Sequence, residues 1–364
     1  MLLKNKNVKP MSFLNRGQKM QNFYKILNSN AIIFLNIEYN SHMTNAYRTK
    51  MEYSIYVDDQ EVLHLAQHVQ GSKRGLIITD EGSDLALPNL NQAAKHVIKL
   101  INQKGVKKFQ IKGIMLRYST FEDKSVVFIY IKDEELKLDA GDFFDPKLMK
   151  GVYIYHSTKK SPAFVQTQLM SEVGTKELIE KLGTKEFSFP ADGFFQINIP
   201  VVQEFLKDSY KIVSELPESK RSYLLDLYAG VGTIGIYHGD LFNKVVGVEL
   251  FPGSKQYAIK NAKINGLTNY DFYESRSEDA NLTTLLSTEA ILFLDPPRAG
   301  CMPKVLEAIL SAKPEYVFYL SCNPETQERD IKILENNYDV IHQKEYDFFP
   351  NTDHLEKFVV LKRI

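Results

Sequence analysis

Cysteine is scarce in this sequence. Only Cys301 and Cys322 occur among 364 residues, which excludes a disulfide scaffold and a four-cysteine zinc or iron–sulfur site within the chain. The same scarcity fits a reducing cytosol. Net charge is missing too: 45 Lys and Arg balance 45 Asp and Glu, so any attraction to nucleic acid must come from local clustering. Long apolar runs are absent near the N-terminus. The stretch Ala31-Ile-Ile-Phe-Leu35 is strand-sized and too short to cross a bilayer. The basic first twenty residues lack the continuous apolar segment of a secretory signal. These absences predict a cytoplasmic protein with no membrane contact and no metal. No protein partner is implied, and a monomer is expected.

What is present is ordinary for a globular chain: 44% hydrophobic and 25% charged residues, enough to bury a substantial core. The length suggests two domains. One local cluster stands out within residues 1–57, where Lys4, Lys6, Lys9, Arg16, Lys19, Lys25, Arg48 and Lys50 face only Glu38 and Glu52. Such a segment is either a solvated terminus or an RNA contact.

The chain changes character near residue 190. Before it, short β-rich runs recur at Ala31–Ile37, Glu52–Val57, Leu76–Thr79, Gly113–Tyr118, Ser125–Ile131 and Gly151–Tyr155. Leu90, Ala93, Ala94, Val97, Ile98 and Ile101 recur at helical spacing, which predicts a helix up to Gln103. Residues 1–190 therefore read as an α+β domain. From about residue 220 strands and helices alternate. Strands are predicted at Tyr223–Leu227, Val245–Glu249, Tyr270–Tyr273, Ala290–Leu294, Tyr316–Ser321 and from Glu356 to Arg363, with helices at Gly253–Asn265 and Met302–Ala312. That alternation predicts a doubly wound, largely parallel α/β sheet over residues 191–364.

Four motifs carry chemistry. In Leu224-Leu-Asp-Leu-Tyr-Ala-Gly-Val-Gly-Thr-Ile-Gly235 a strand runs into Gly230, Gly232 and Gly235 before a helix, a turn that lets backbone approach a nucleotide. Glu249 ends the next strand, where a carboxylate can accept from both ribose hydroxyls. In Ile291-Leu-Phe-Leu-Asp-Pro-Pro-Arg-Ala-Gly300 an apolar strand delivers Asp295 to the carboxyl edge of the sheet, and two prolines stiffen the turn. Arg298 stands where an aromatic would suggest amino-group methylation. In Val317-Phe-Tyr-Leu-Ser-Cys-Asn-Pro324, Cys322 leaves a strand at the same edge, just before a helix whose N-terminus is expected to lower its thiol pKa. Cys301 reads as a small buried hydrophobe. In Asp347-Phe-Phe-Pro-Asn-Thr-Asp-His-Leu-Glu356, Glu356 opens the last strand; a glutamate there is normally surface, unless it projects from the sheet edge into the site. The glycines also satisfy G-x-G-x-x-G, so an NAD-dependent oxidoreductase stays open as an alternative. A non-catalytic RNA-binding protein with a retained cofactor pocket is a third reading.

Phe194-Phe-Gln-Ile-Asn198, Asp226-Leu-Tyr-Ala-Gly-Val-Gly232, Asp295-Pro-Pro-Arg298, Ser321-Cys-Asn-Pro324 and Phe349-Pro-Asn-Thr-Asp-His-Leu-Glu356 together resemble the RNA uridine-C5 methyltransferase family. Tyr47-Arg-Thr-Lys50 and Phe187-Ser-Phe-Pro190 are weaker echoes. The resemblance implies a Rossmann-like domain that uses S-adenosyl-L-methionine on structured RNA, tRNA or 23S rRNA, with the N-terminal half recognising the RNA. It implies that Gln196, Tyr228, Glu249 and Asp295 contact the cofactor, with Gly230 and Thr233 lining the turn. Cys322 would be the nucleophile and Glu356 the base for the C5 proton. Several relatives carry a cysteine-ligated iron–sulfur cluster in the N-terminal half; this chain has no cysteine before Cys301, so no cluster is expected. Nor is an additional N-terminal RNA-binding β-barrel recognisable. Of the four phenylalanines near the motifs, Phe194, Phe195, Phe348 and Phe349, at least two are expected in the core and the others free to stack on bases.

Overall fold

The computed structural model describes residues 45–68, 76–78, 82–158, 161, 164–352 and 354–364. The strand expected at Ala31–Ile37 lies outside them, as do all the basic residues of the N-terminal cluster except Arg48 and Lys50. The first sheet has the order β3-β2-β1-β4-β5-β6-β7. Its strands are β1 (Lys50–Val57), β2 (Leu63–His68), β3 (Leu76–Ile78), β4 (Ile111–Ser119), β5 (Lys124–Ile131), β6 (Met149–His156) and β7 (Gln168–Gly174). Helix α1 (Pro88–Gln103) buries Leu90, Ala93, Ala94, Val97 and Ile101 in one cluster with Ile55, Leu65, Ile114 and Ile129 of the sheet. The two adjacent alanines keep the helix close to the strands. Sequence reading passed over β2 and β7; the latter, Gln168-Leu-Met-Ser-Glu-Val-Gly174, is a polar edge strand with no fully buried residue.

A hairpin of β8 (Glu177–Leu182) and β9 (Lys185–Pro190) follows. It was not foreseen, nor was α2 (Ile199–Glu215), although Ile199, Val202, Phe205, Leu206 and Val213 recur at helical spacing and are buried. The second sheet is built from β10 (Tyr223–Leu227), β11 (Lys244–Glu249), β12 (Tyr270–Glu274), β13 (Ala290–Leu294), β14 (Tyr316–Ser321), β15 (Tyr338–Tyr346) and β16 (Glu356–Arg363). Its order is β12-β11-β10-β13-β14-β16-β15. The first five strands are parallel, and β16 and β15 close the sheet antiparallel. Four crossovers run through α3 (Thr233–His238), α4 (Ser254–Ile264), α5 (Pro303–Ala312) and α6 (Pro324–Leu334), and the one from β12 to β13 holds a single helical turn at Leu282–Leu285. The doubly wound sheet read from strand–helix alternation is therefore present. Strand β15 escaped that reading because Tyr-Asp-Val-Ile-His-Gln-Lys-Glu-Tyr is an edge with only its end residues buried.

One apolar cluster joins the two sheets. It runs from Phe128 and Tyr130 of β5, through Phe187 and Phe189 of β9, to Phe205, Leu224 and Phe293. Phe189 stacks on Phe195 with ring centroids 4.2 Å apart and 9° between planes, a pair worth roughly 0.5–1.5 kcal/mol beyond its burial.

Candidate active site

In the second sheet the chain winds outward from β10 to β12 and then returns to β13 on the other side of β10. The carboxyl ends of β10 and β13 therefore part, and an open sheet binds its ligands at such a point. A cleft of about 750 Å³ lies there, within the range of roughly 300–1,000 Å³ typical of small-molecule sites. All eight residues singled out from the sequence line it. Gln196 comes from the loop after β9; Tyr228, Gly230 and Thr233 come from the turn after β10; Glu249 ends β11. Asp295, Cys322 and Glu356 come from β13, β14 and β16.

The glycine turn is held in an unusual backbone. Tyr228, Gly230 and Gly232 have φ of 65°, 56° and 85°, a region open to glycine and costly for tyrosine. A Cβ on Gly232 would come within 2.7 Å of the Tyr270 hydroxyl, whereas one on Gly230 would meet nothing within 4 Å. Asp226 beneath the turn accepts from the Gly235 amide at 2.9 Å. Its other oxygen is buried without a partner among the described residues, and burial pushes its carboxyl up to about 8. Glu249 ties turn to strand: one oxygen accepts from the Gly230 amide at 3.1 Å, the other from the Leu250 and Phe251 amides at 2.7 and 2.8 Å. Oε1 thus has both lone pairs engaged, while Oε2 keeps one for a further donor.

The far end of the cleft is set by strand pairing. Strands β14 and β16 run antiparallel with Ser321 opposite Lys357, so the next residues toward the carboxyl edge, Cys322 and Glu356, come side by side. Glu356 is only 5% exposed and its Oε2 is buried without a partner among the described residues. It is thus no solvated strand start. Burial and the neighbouring Asp295 push its carboxyl above the usual range, with Arg298 opposing. Burial and Glu249 do the same to Asp295.

For Cys322 the sequence expectation is corrected. Burial, then Glu356 and Asp295, push the half-buried thiol up rather than down. The helix end that was to lower it offers little, because Pro324 has no amide hydrogen and the Asn323 side chain already accepts from the Glu325 amide. Cys301 is 3% exposed, in the core as expected. The phenylalanines divide as anticipated: Phe195 and Phe348 are buried, while Phe194 is 71% exposed and Phe349 is only partly buried, both on the cleft wall.

Sequence reasoning missed the residues that fix the walls. Arg117, on β4 and 1% exposed, donates to the carbonyls of Phe195 at 2.7 Å and Gln196 at 3.1 Å. Its guanidinium lies 5.2 Å from the Phe189 ring centre and 5.9 Å from that of Phe195. Nothing in Ile-Met-Leu-Arg-Tyr-Ser marks it as inward-facing. Asn198 donates to the Phe348 carbonyl at 3.2 Å. The Tyr47 hydroxyl donates to the Pro350 carbonyl at 3.1 Å and the Thr49 amide to that of Ile197 at 3.0 Å, so the Tyr47-Arg-Thr-Lys50 segment braces two loops of the cleft.

The charged residues on the wall are Asp192, Glu249, Glu278, Asp295 and Glu356 against Arg276 and Arg298. The two arginines are matched by Asp192, Glu249 and Glu278 even when Asp295 and Glu356 hold their protons, so the wall has no surplus of positive charge to cradle a pyrophosphate. The residues present fit S-adenosylmethionine. Among the described residues no three His, Cys, Asp or Glu side chains converge as a metal site, and no helix is long and apolar enough to cross a membrane.

Comparison with known proteins agrees with this geometry. Residues 15–364 match the family model of tRNA (uracil-5-)-methyltransferases. An uncharacterised RNA methyltransferase of Caldanaerobacter subterraneus is 30% identical over 346 residues, covering 91% of this chain and 75% of that protein. One from Thermotoga maritima is 27% identical over 339 residues, covering 86% and 72%. In fold, the chain is similar to a tRNA (uracil-54, C5)-methyltransferase of Pyrococcus abyssi solved with S-adenosyl-L-homocysteine, with a TM-score of 0.72 and 22% identity over 88% of this chain and 77% of that one. With a family model spanning nearly its whole length and every motif on one cleft, the chain belongs to the tRNA (uracil-5-)-methyltransferase family.

Proposed function

We propose that this S-adenosylmethionine-dependent RNA methyltransferase methylates C5 of one uridine in a structured RNA, tRNA or 23S rRNA, through a covalent bond between Cys322 and C6 of the base. The observation that carries the reading is the pairing of Cys322 with a buried, partly unpartnered Glu356 at one end of an acid-lined cleft.

Carbon 5 of uracil is a weak nucleophile. Addition of the Cys322 thiolate to C6 makes an enolate whose electron density lies at C5. S-adenosylmethionine, when bound, supplies the methyl group and a sulfonium charge. Gln196, Tyr228, Glu249 and Asp295 would hold it, with Gly230 and Thr233 along the turn. Glu356 then takes the C5 proton, the C5–C6 double bond re-forms, and the C6–sulfur bond breaks to return the thiolate. A positioned base of this kind is worth about 10²–10⁴-fold, and a carboxylate made more basic by burial takes a carbon-bound proton better than a solvated one. The uridine must leave its stack to bring C6 to the sulfur, and the exposed Phe194 and the partly buried Phe349 offer faces for it or its neighbours. Residues 1–190 would supply RNA shape recognition and phosphate contacts, and residues 191–364 the chemistry.

The test is to incubate tRNA and 23S rRNA transcripts with the enzyme and methyl-labelled cofactor, then digest to nucleosides. Label in 5-methyluridine supports the proposal; label confined to another nucleoside or to an amino group overturns it.

A further inference from the structure

The corrected electrostatics of Cys322 leave a question the reaction must answer: what favours the thiolate in a pocket walled by carboxylates? Among the described residues, the charged groups that bear on the sulfur are Glu356 on β16 and Asp295 and Arg298 on the loop after β13, and of these Arg298 alone is positive. That loop is unusually well moored. The Arg298 carbonyl accepts from Asn323 Nδ2 at 3.0 Å and from Thr326 Oγ1 at 3.2 Å. The Ala299 carbonyl accepts from Arg329 at 3.0 Å, and the Cys301 amide donates to fully buried Asp330 at 2.8 Å. Gly300, at φ 80°, presses so closely on this helix that a Cβ would lie 2.6 Å from Arg329 and 2.7 Å from Asp330. At the other end, the Arg298 guanidinium donates to His354 Nε2 at 3.0 Å, two residues before Glu356. One arginine thus spans the three segments that carry Asp295, Cys322 and Glu356.

We propose that Arg298, moored by α6 and by His354, is the positive charge that serves the Cys322 sulfur, in the role a helix N-terminus plays for other reactive thiols. It is a positioning residue acting through Cys322. The inference rests on Cys322 being the nucleophile, yet it is read out on the free enzyme, without RNA.

The experiment follows alkylation of the whole enzyme by iodoacetamide from pH 6 to pH 10, with peptide mass mapping to separate Cys322 from buried Cys301. Sulfur displaces iodide only as the thiolate, so the midpoint of the rate profile reports its ionisation. Arg298 is exposed, so solvent screens its charge; Arg298→Gln should move the Cys322 midpoint upward by about half a pH unit, and Arg298→Lys, which keeps the charge, should recover part of that shift. Thermal unfolding of both variants identifies any that fail to fold, and the folded one decides. A midpoint unchanged in Arg298→Gln, or displaced equally by Lys and Gln, overturns the proposal. Methyl transfer that survives Cys322→Ala would instead remove the covalent mechanism, a separate failure.

Discussion

At the scale of single residues the site is governed by burial of charge. Glu356 and Cys322 both carry their protons more tightly than free side chains do, because the ionised forms lose water and face like charge. In the proposed mechanism both must be deprotonated to act. Activity under subsaturating RNA should therefore rise with pH through the neutral range, with its acid limb above the ordinary carboxylate range, and a profile flat from pH 5 upward would contradict this. Glu356→Gln removes the proposed base and leaves the proposed nucleophile. Turnover should fall by about 10²–10⁴-fold, while RNA adduct accumulates on a denaturing gel.

These residues were legible in the sequence because each follows or opens an apolar strand: Asp295 after Ile-Leu-Phe-Leu, Cys322 after Val-Phe-Tyr-Leu-Ser, Glu356 before Lys-Phe-Val-Val. Strand direction alone then brings them to one edge. Their ionisation was not legible, because it depends on which carboxylates share the pocket and on the capping of α6 by its own Asn323.

At the scale of elements, the glycine turn is held from below by α4. Asn261, fully buried, accepts from the Ser188 amide at 2.7 Å and donates to the carbonyls of Ser188 and Val231, both at 3.0 Å. It thereby ties the β8–β9 hairpin to the turn after β10. Asn261→Ala leaves three buried backbone groups unpaired and should cost about 2–4 kcal/mol, measured by denaturant unfolding. It should also weaken S-adenosylhomocysteine binding, since Val231 lies inside the turn. A stability change below about 0.5 kcal/mol would mean that the hairpin is not anchored this way. The hairpin went unread because its strands, Glu-Leu-Ile-Glu-Lys-Leu and Lys-Glu-Phe-Ser-Phe-Pro, carry as many charges as a surface loop. One of those charges, Glu180, is in fact buried, accepting from the Thr120 and Phe121 amides at the β4–β5 turn.

At the scale of the whole molecule, the two sheets share a core and a cation. Arg117 reaches from the first sheet to the backbone of Gln196 in the cleft, lying against the stacked pair Phe189 and Phe195. Its burial draws the guanidinium down to about 9. Arg117→Met should lower stability by about 2–4 kcal/mol, because one buried and one half-buried carbonyl lose their donor, and should weaken S-adenosylhomocysteine binding in calorimetry. Unaltered affinity in a folded variant would mean that the first sheet does not support the cofactor loop. The strand alternation was enough to place the doubly wound sheet. The N-terminal half yielded its main strands but not this contact, because a lone arginine in a strand carries no pattern.

The central claim is that the Cys322 sulfur bonds to the base. Transcripts of tRNA and 23S rRNA containing 5-fluorouridine test it most directly, since fluorine cannot leave as a proton and the adduct should persist. After protease and nuclease digestion, mass spectrometry should find one nucleotide, methylated at C5, on the peptide that contains Cys322, and Cys322→Ala should abolish it. A trapped nucleotide on any other residue, or methylated product without an adduct, would contradict the account.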